Sequence, residues 1–249
     1  MNPTIETILQ HRSIRKFEDR PLSDEQIRTI VECAQAASTS SFIQAYSIIG
    51  VKDKEKKKKL AELAGNQSYV EHSGHFFVFC ADLHRHEQIG EMEGTDVSGS
   101  LESMEKFMVA VIDASLAAQN ASLAAESMGL GICYIGGIRN NMEQVTELLG
   151  IPSHAMPLFG LAVGYPAQQT DVKPRLPFEH VYQEDTYNTD ETSYKEQLED
   201  YNKTTSAYYH ARTGGKRADT WSSQMANMLR EPKRTGMKEF VEKQGLAKK

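Results

Sequence analysis

The sequence predicts an α+β fold. Four short apolar runs read as strands and several longer stretches carry the three-to-four-residue spacing of helices. The two kinds alternate only loosely, unlike the regular alternation of a doubly wound parallel sheet. With 249 residues, 39% of them hydrophobic, the chain is long enough to bury a sizeable core.

The elements follow in order. Thr4 can cap a short helix with Ile5, Ile8 and Leu9 on one face. Ser23-Asp24-Glu25-Gln26 has the form of a capping box and opens a helix whose Ile27, Ile30, Val31 and Ala34 share a face. Tyr46 to Val51 reads as a strand, and the lysine-dense stretch Lys52 to Lys59 as a solvated helix face edged by Leu60 and Leu63. His75 to Ala81 has the length and continuous apolarity of a buried strand. His84-Arg85-His86, just after it, reads as a solvated loop rather than a metal site.

From Leu101 to Met128 the pattern is helical and closes at Gly129, a natural residue for a left-handed helix end. Its second half (Ala114, Leu116, Ala117, Ala118, Ala121, Leu123, Ala124, Ala125) is apolar on nearly every side, which predicts a central core helix buried all round, within the chain or at a subunit interface. Glu126, deep in this helix, is expected to be a structural hydrogen-bonded carboxylate. Ile132 to Ile135 is a third strand, turned sharply by Gly136-Gly137. Asn141, Glu143 and Gln144 start a helix ending at Gly150, and Pro157 to Gly164 is a fourth strand.

Composition changes after Pro177: six of the ten tyrosines and the single tryptophan, Trp221, lie beyond it. Tyr194, Leu198, Tyr201 and Tyr208 fall on one face of an amphipathic helix. The expected organisation is a core domain over 1–180 and a polar arm over 181–249 that packs on the core or on a partner subunit.

The formal net charge of −6 gives no reason to expect nucleic acid or an anionic membrane as partner. The apolar runs fall short of the roughly 20 residues a membrane span needs. Cys33, Cys80 and Cys133 are widely spaced, and no CxxC pair suggests zinc or a disulfide framework. The first residues lack the basic and apolar regions of a secretion signal, so a cytoplasmic location is expected.

Five separated segments look like parts of one site: His11-Arg12-Ser13-Ile14-Arg15, Ser38-Thr39-Ser40-Ser41, Gln67-Ser68-Tyr69, Tyr134-Ile135-Gly136-Gly137 and Lys173-Pro174-Arg175. Guanidinium forks and a lysine suit a phosphate, and the hydroxyl run and Gln67 suit a hydroxylated tail or a ring edge. Gly136-Gly137, following a strand, exposes backbone N–H groups without obstructing side chains. The Walker loop, the GxGxxG fingerprint and the GxSxG elbow do not occur; Gly129-Leu130-Gly131 follows a helix rather than a strand.

Together these residues resemble the nitroreductase family, in its branch of NADPH-dependent FMN reductases and major oxygen-insensitive nitroreductases. The strings that carry the resemblance are HRSIRKF at 11–17, AAESMGLGICYIGGIRN at 124–140, PLFGLAVGYPA at 157–167 and VKPRLP at 172–177. The resemblance implies a mostly antiparallel central sheet flanked by helices, a C-terminal excursion wrapped around a homodimer partner, tightly held FMN and NADPH as hydride donor. Small-molecule electron acceptors (flavins, nitroaromatics, quinones) would be reduced in turn through the bound FMN. The alternatives are a specialised flavin enzyme of the same fold and a non-catalytic flavin carrier.

Residue by residue, the resemblance places Arg12, Ser13, Lys173 and Arg175 at the FMN phosphate, with His11 and Ser40 nearby. Arg15 and Gln67 would face the pyrimidine edge of the flavin, and Ile135, Gly136 and Gly137 would form the backbone under the ring. Thr39, Gln44, Tyr69 and Tyr134 complete the cofactor set. Arg212 and Arg217 match cations that recognise the NADPH 2′-phosphate, on a glycine-bearing loop expected to be mobile and solvated. Ser41, Phe42 and Arg234 belong to the substrate pocket, Arg234 on its mobile rim. No side chain is expected to act as a catalytic acid or base, and no metal is expected.

Overall fold

The structure is a computed structural model and describes residues 2–249. Contacts divide the chain into two units: residues up to Thr170 together with Arg234–Lys249, and Asp171–Lys233. The last stretch of chain, from Arg234, groups with the first unit. The reason is burial: Phe240, Val241 and Leu246 join the core of the first unit, and Glu102 takes Lys248 and Lys249 at 3.1 and 2.9 Å.

In the first unit, helix α1 (Pro3–Leu9) is capped by Asn2, whose side chain accepts from the Ile5 N–H, with Pro3 in the first turn. Asn2 therefore takes the role expected of Thr4, because Pro3 has no N–H to lose at that position. Helix α2 (Asp24–Gln35) opens with the expected capping box of Ser23 and Gln26. Strand β1 (Tyr46–Val51), helices α3 (Lys54–Leu63) and α4 (Ser68–Glu71), and strand β2 (His75–Asp82) come next. They are followed by α5 (His84–Met92), α6 (Ser98–Leu101), α7 (Met104–Ser127), β3 (Gly131–Ile135), α8 (Met142–Leu149) and β4 (Ala155–Gly164).

The four strands form one antiparallel sheet in the order β1-β2-β4-β3. Period-two alternation divides the central strand β2 between two cores. Phe77, Phe79 and Ala81 pack with α2, α7 and the C-terminal segment; Phe76, Val78 and Cys80 pack with α3 and α8. Burial pushes the Cys80 thiol up to about 12, so it serves as a small hydrophobe.

Helix α7 runs as expected to a left-handed Gly129, and its second half leaves Leu116 exposed within this chain. Its alanines 110, 114, 117, 118, 121 and 125 face the core, while Met104, Met108, Ile112 and Leu116 are 44–52% exposed. Sequence reading missed this because both faces are apolar and only contacts tell them apart. By length and composition α7 qualifies as a membrane span, yet half of the qualifying stretch is buried inside the protein.

Two further expectations are corrected. The lysine run is not wholly solvated: Lys57 is buried and its Nζ donates to the Ser73 carbonyl at 2.7 Å. Burial, then Lys54, holds its pKa below the usual lysine value. His84-Arg85-His86 is not a loop but the first turn of α5, because Asp82 Oδ1 accepts from the His84 N–H at 3.0 Å.

The second unit holds α9 (Phe178–Val181), α10 (Glu191–Arg212) and α11 (Trp221–Leu229). Tyr201 of α10 is buried against the Trp221 ring at 5.6 Å, and the Asn202 side-chain amide donates to Ser222 Oγ and accepts from the Ser222 N–H. The chain then re-enters the first unit through α12 (Met237–Lys243).

Candidate functional site

Ser13 and Ile14 lie along the free edge of β3, whereas Phe17 bridges Pro166. Ser13 forms a parallel bridge with Ile132, and the Ile14 N–H donates to the Ile132 carbonyl at 2.8 Å. Ile14 is buried and fills the place that a side chain at Gly131 would need, since a Cβ there would come within 2.7 Å of it. Within this short stretch Ile14 is buried, and Arg12 and Arg15 are exposed. His11 is anchored by Glu126 Oε1 at 2.7 Å, and an Arg12 guanidinium N–H donates to the Gln10 carbonyl at 3.0 Å. Arg12 and Glu126 also line an open cleft of about 760 Å³ with Gln10, Gly129, Gly131 and Gln168.

From Arg15 a chain of contacts leads to the turn after β3. Arg15 is close enough to Tyr69 to act on its pKa, and the Tyr69 hydroxyl donates to Gln67 Oε1 at 2.5 Å. Gln67 Nε2 donates to the Ala64 carbonyl at 2.6 Å. A Cβ added to Gly137 would collide with that same carbonyl and with Gln67 Nε2, so the Gly136-Gly137 turn packs directly on the Gln67 side chain. Gly136 differs: a Cβ there meets nothing nearer than Arg139 at 3.5 Å. Tyr69 is held above the ordinary tyrosine pKa by burial, with Arg15 opposing the shift. Tyr134, partly exposed, bonds Ser122 Oγ at 2.8 Å, and burial raises its pKa too; Ile135 beside it is buried.

The loop from Thr39 to Ala45 contains a short helical turn, Ser40–Phe42. Ser41, Phe42 and Gln44 have φ of 49°, 60° and 53°, and Phe42 is 82% exposed. Asp113, fully buried, accepts from the Ser40 and Ala45 N–H groups, both at 3.0 Å. Sequence reading missed Asp113 and Ser122. Their signal was there: with Glu126 they are polar side chains in an apolar helix, and each reaches a different part of the site. Arg234, with φ of 58°, donates through Nε to Asn140 Oδ1 at 2.9 Å, so it is tied to the segment that follows Gly136-Gly137. Among the described residues, no group of three or more His, Cys, Asp or Glu side chains is placed to hold a metal ion.

Comparison with known families decides the assignment. The model of the nitroreductase family matches residues 8–165, and that of the nitroreductase family C-terminal domain matches residues 173–249. The chain belongs to the nitroreductase family. A Bacillus subtilis (strain 168) protein named FMN reductase (NADPH) is 58% identical over 248 residues, spanning all of both chains. The structure of B. megaterium NfrA1 superposes with a TM-score of 0.98 at 69% identity, covering 99% of this chain and all of that one. An NADPH:FMN oxidoreductase from Vibrio harveyi complexed with NAD+ gives a TM-score of 0.90 at 43% identity over the whole of both chains.

The remaining residues of this nitroreductase's expected site lie in its second unit. Lys173 and Arg175 are exposed on an extended stretch that Tyr201 fixes by donating to the Pro174 carbonyl at 3.1 Å. The glycine-bearing loop after α10 is exposed. Gly214 and Gly215 take φ of 59° and 80°, and the Arg217 N–H donates to Thr213 Oγ1 at 2.9 Å. The Arg217 side chain pairs with Asp219 at 2.7 Å over the Tyr209 ring, and Arg212 bonds the Tyr208 hydroxyl at 3.3 Å.

Proposed function

We propose that this nitroreductase-family chain is an FMN-dependent NADPH oxidoreductase that passes hydride equivalents from NADPH to small-molecule acceptors such as flavins, nitroaromatics or quinones. The contact chain from Arg15 through Tyr69 and Gln67 to Gly137 carries the reading. It sets a guanidinium, a phenol and an amide beside a side-chain-free turn. A flavin needs that donor set at its polar edge and that open backbone under its ring. The open Cβ position at Gly136 makes the fit specific, since any side chain there would stand in that space. The names of the relatives support the same cofactor pair.

When bound, FMN supplies the group that accepts and donates hydride. The chain's own residues bind and orient. Arg12, Ser13 and His11, and separately Lys173 and Arg175, are proposed to hold the cofactor phosphate by charge-assisted hydrogen bonds. Arg15 and Gln67, supported by Tyr69 and Tyr134, are proposed to hold the polar edge of the ring, with Ile135, Gly136 and Gly137 beneath it. Thr39, Ser40 and Gln44 are proposed to hold the ribityl side, and Ser41, Phe42 and Arg234 to meet the acceptor. Arg212 and Arg217 are proposed to read the 2′-phosphate of NADPH. One face serving NADPH and acceptor in turn entails ping-pong kinetics.

The half-exposed stripe Met104, Met108, Ile112 and Leu116, and the exposed Ile5, Ile8 and Leu9 of α1, support a homodimer in which a second copy covers apolar surface. A cytoplasmic location, where NADPH is supplied, is proposed with it. The decisive experiment is a visible spectrum of the purified protein before and after anaerobic NADPH. A flavin spectrum from about one FMN per chain, bleached by NADPH and restored by an acceptor, is expected. A colourless protein that takes up no added FMN overturns the reading.

A further inference from the structure

The loop 39–45 is built in a conformation that its own sequence does not favour. Ser41, Phe42 and Gln44 all lie at positive φ, where an L side chain crowds its backbone. Such a conformation persists only where the surroundings over-determine it. Asp113 provides the main constraint. Its two carboxylate oxygens accept from Ser40 N and Ala45 N, the N–H groups that bracket the three unfavourable residues. The carbonyls between them are held as well: His86 Nε2 donates to Ile43 O at 2.8 Å and Arg85 donates to Gln44 O at 3.3 Å. The first turn of α5 and the middle of α7 thus fix the loop through both donors and acceptors.

We propose that Asp113 is a positioning residue for flavin binding, holding the 39–45 loop in its binding conformation before the flavin arrives. The proposal rests on the reading that Thr39, Ser40 and Gln44 contact FMN. An ionised carboxylate accepts at both oxygens, whereas an asparagine amide accepts at one and turns an N–H₂ toward the other N–H. Alanine leaves both N–H groups without their acceptor. In either case the loop spends less time in the binding conformation, and apparent affinity falls in proportion to the population lost.

The test is a titration of full-length, flavin-stripped protein with FMN and with riboflavin, in wild type, Asp113→Asn and Asp113→Ala. The dissociation constants for both flavins should rise by the same factor, about tenfold for Asp113→Asn (about 1.4 kcal/mol) and more for Asp113→Ala. The FMN-to-riboflavin affinity ratio should keep its wild-type value, because the loop acts on the part both ligands share. Unchanged affinity in a folded Asp113→Asn protein overturns the proposal. A loss confined to FMN overturns it too, by placing the effect at the phosphate. Failure of wild type to bind FMN overturns the flavin reading instead.

Should the variants not fold, amide hydrogen exchange on flavin-free wild type decides. The Ser40 and Ala45 amides should already be protected. Fast exchange there, with protection appearing only after FMN is added, would mean that the flavin and not Asp113 orders the loop.

Discussion

His11 and Glu126 are 115 residues apart in sequence and meet at 2.7 Å. Their contact ties the basic segment at the start of the chain to the last turn of α7. Nδ1 is the ring nitrogen of His11 that meets the carboxylate. The side chains are 29% and 14% exposed, so the pair is neither fully solvated nor fully buried.

Glu126→Ala should loosen this anchor and cost about 1 kcal/mol of stability, the usual net worth of a partly buried hydrogen bond. It should also raise the FMN dissociation constant several-fold, with Glu126→Gln recovering most of the loss because an acceptor remains. Thermal unfolding and flavin fluorescence titration check both. Unaltered FMN binding in Glu126→Ala would show that segment 11–15 keeps its place without the pair.

The two glycines after β3 should behave differently. Gly137→Ala drives a methyl into the Ala64 carbonyl and the Gln67 amide, so it should destabilise the fold by about 1–3 kcal/mol. Gly136→Ala meets no protein atom closer than 3.5 Å and should fold normally. Its FMN affinity should nonetheless fall at least tenfold if the flavin lies over this turn. Full FMN affinity in Gly136→Ala would put the flavin elsewhere.

Much of the fold was legible because local pattern and tertiary context agree. The continuously apolar run of 75–81, the Ser23 capping box and the positive φ of Gly129 and Gly150 are where apolar length, cap and turn chemistry put them. What escaped depends on direction rather than composition. Asp113, Ser122 and Glu126 look alike as polar interruptions of α7, and the sequence alone does not say which loop each one meets. Lys57 shares a run with other lysines, yet only its Nζ reaches the Ser73 carbonyl and is buried. The Arg217–Asp219 pair was hidden because its partner lies two residues on in an irregular loop, where no helical spacing signals a contact.

His75 gives the protein an acid-sensitive point. It is buried, and its pKa is lowered from 6.5 to about 4 by desolvation, then by Lys52 and Lys57, against the opposing charge of Asp24. Its neutral form is favoured in the folded state, so the unfolded chain binds more protons between these values. Stability should therefore be unaffected by His75 above about pH 6.5 and should fall as pH drops from there to about 4, by up to about 3 kcal/mol. Urea unfolding of wild type and His75→Gln across that range tests this; an equally steep decline in both assigns it to other groups.

Arg15 and Arg12 should separate two kinds of effect. Arg15 acts on Tyr69 in the cluster beside Gly137, where positive charge would offset the negative charge that reduction develops at the flavin's polar edge. Arg15→Ala should lower the flavin potential and slow reduction by NADPH. Arg12→Ala and Arg175→Ala should instead raise the FMN dissociation constant with little change in potential. Equal shifts of potential in all three would refute this division.

Nucleotide choice should depend on an exchange of partners at Arg217. Its guanidinium is held by Asp219 at 2.7 Å, an exposed pair that a phosphate dianion can displace. A 2′-phosphate offers charge-assisted contacts to Arg212 and Arg217 that NADH lacks, and giving up the Asp219 pair offsets part of the gain. The expected preference for NADPH is on the order of ten- to a hundredfold, carried mainly by KM. It should shrink as salt rises, because the contacts are exposed. Arg212→Ala should reduce the preference by raising KM for NADPH alone, whereas Asp219→Asn should leave Arg217 unpaired and lower that KM. Steady-state kinetics with both nucleotides at two ionic strengths separate the cases. If Arg212→Ala slows NADH and NADPH equally and Asp219→Asn changes neither KM, this loop does not read the 2′-phosphate.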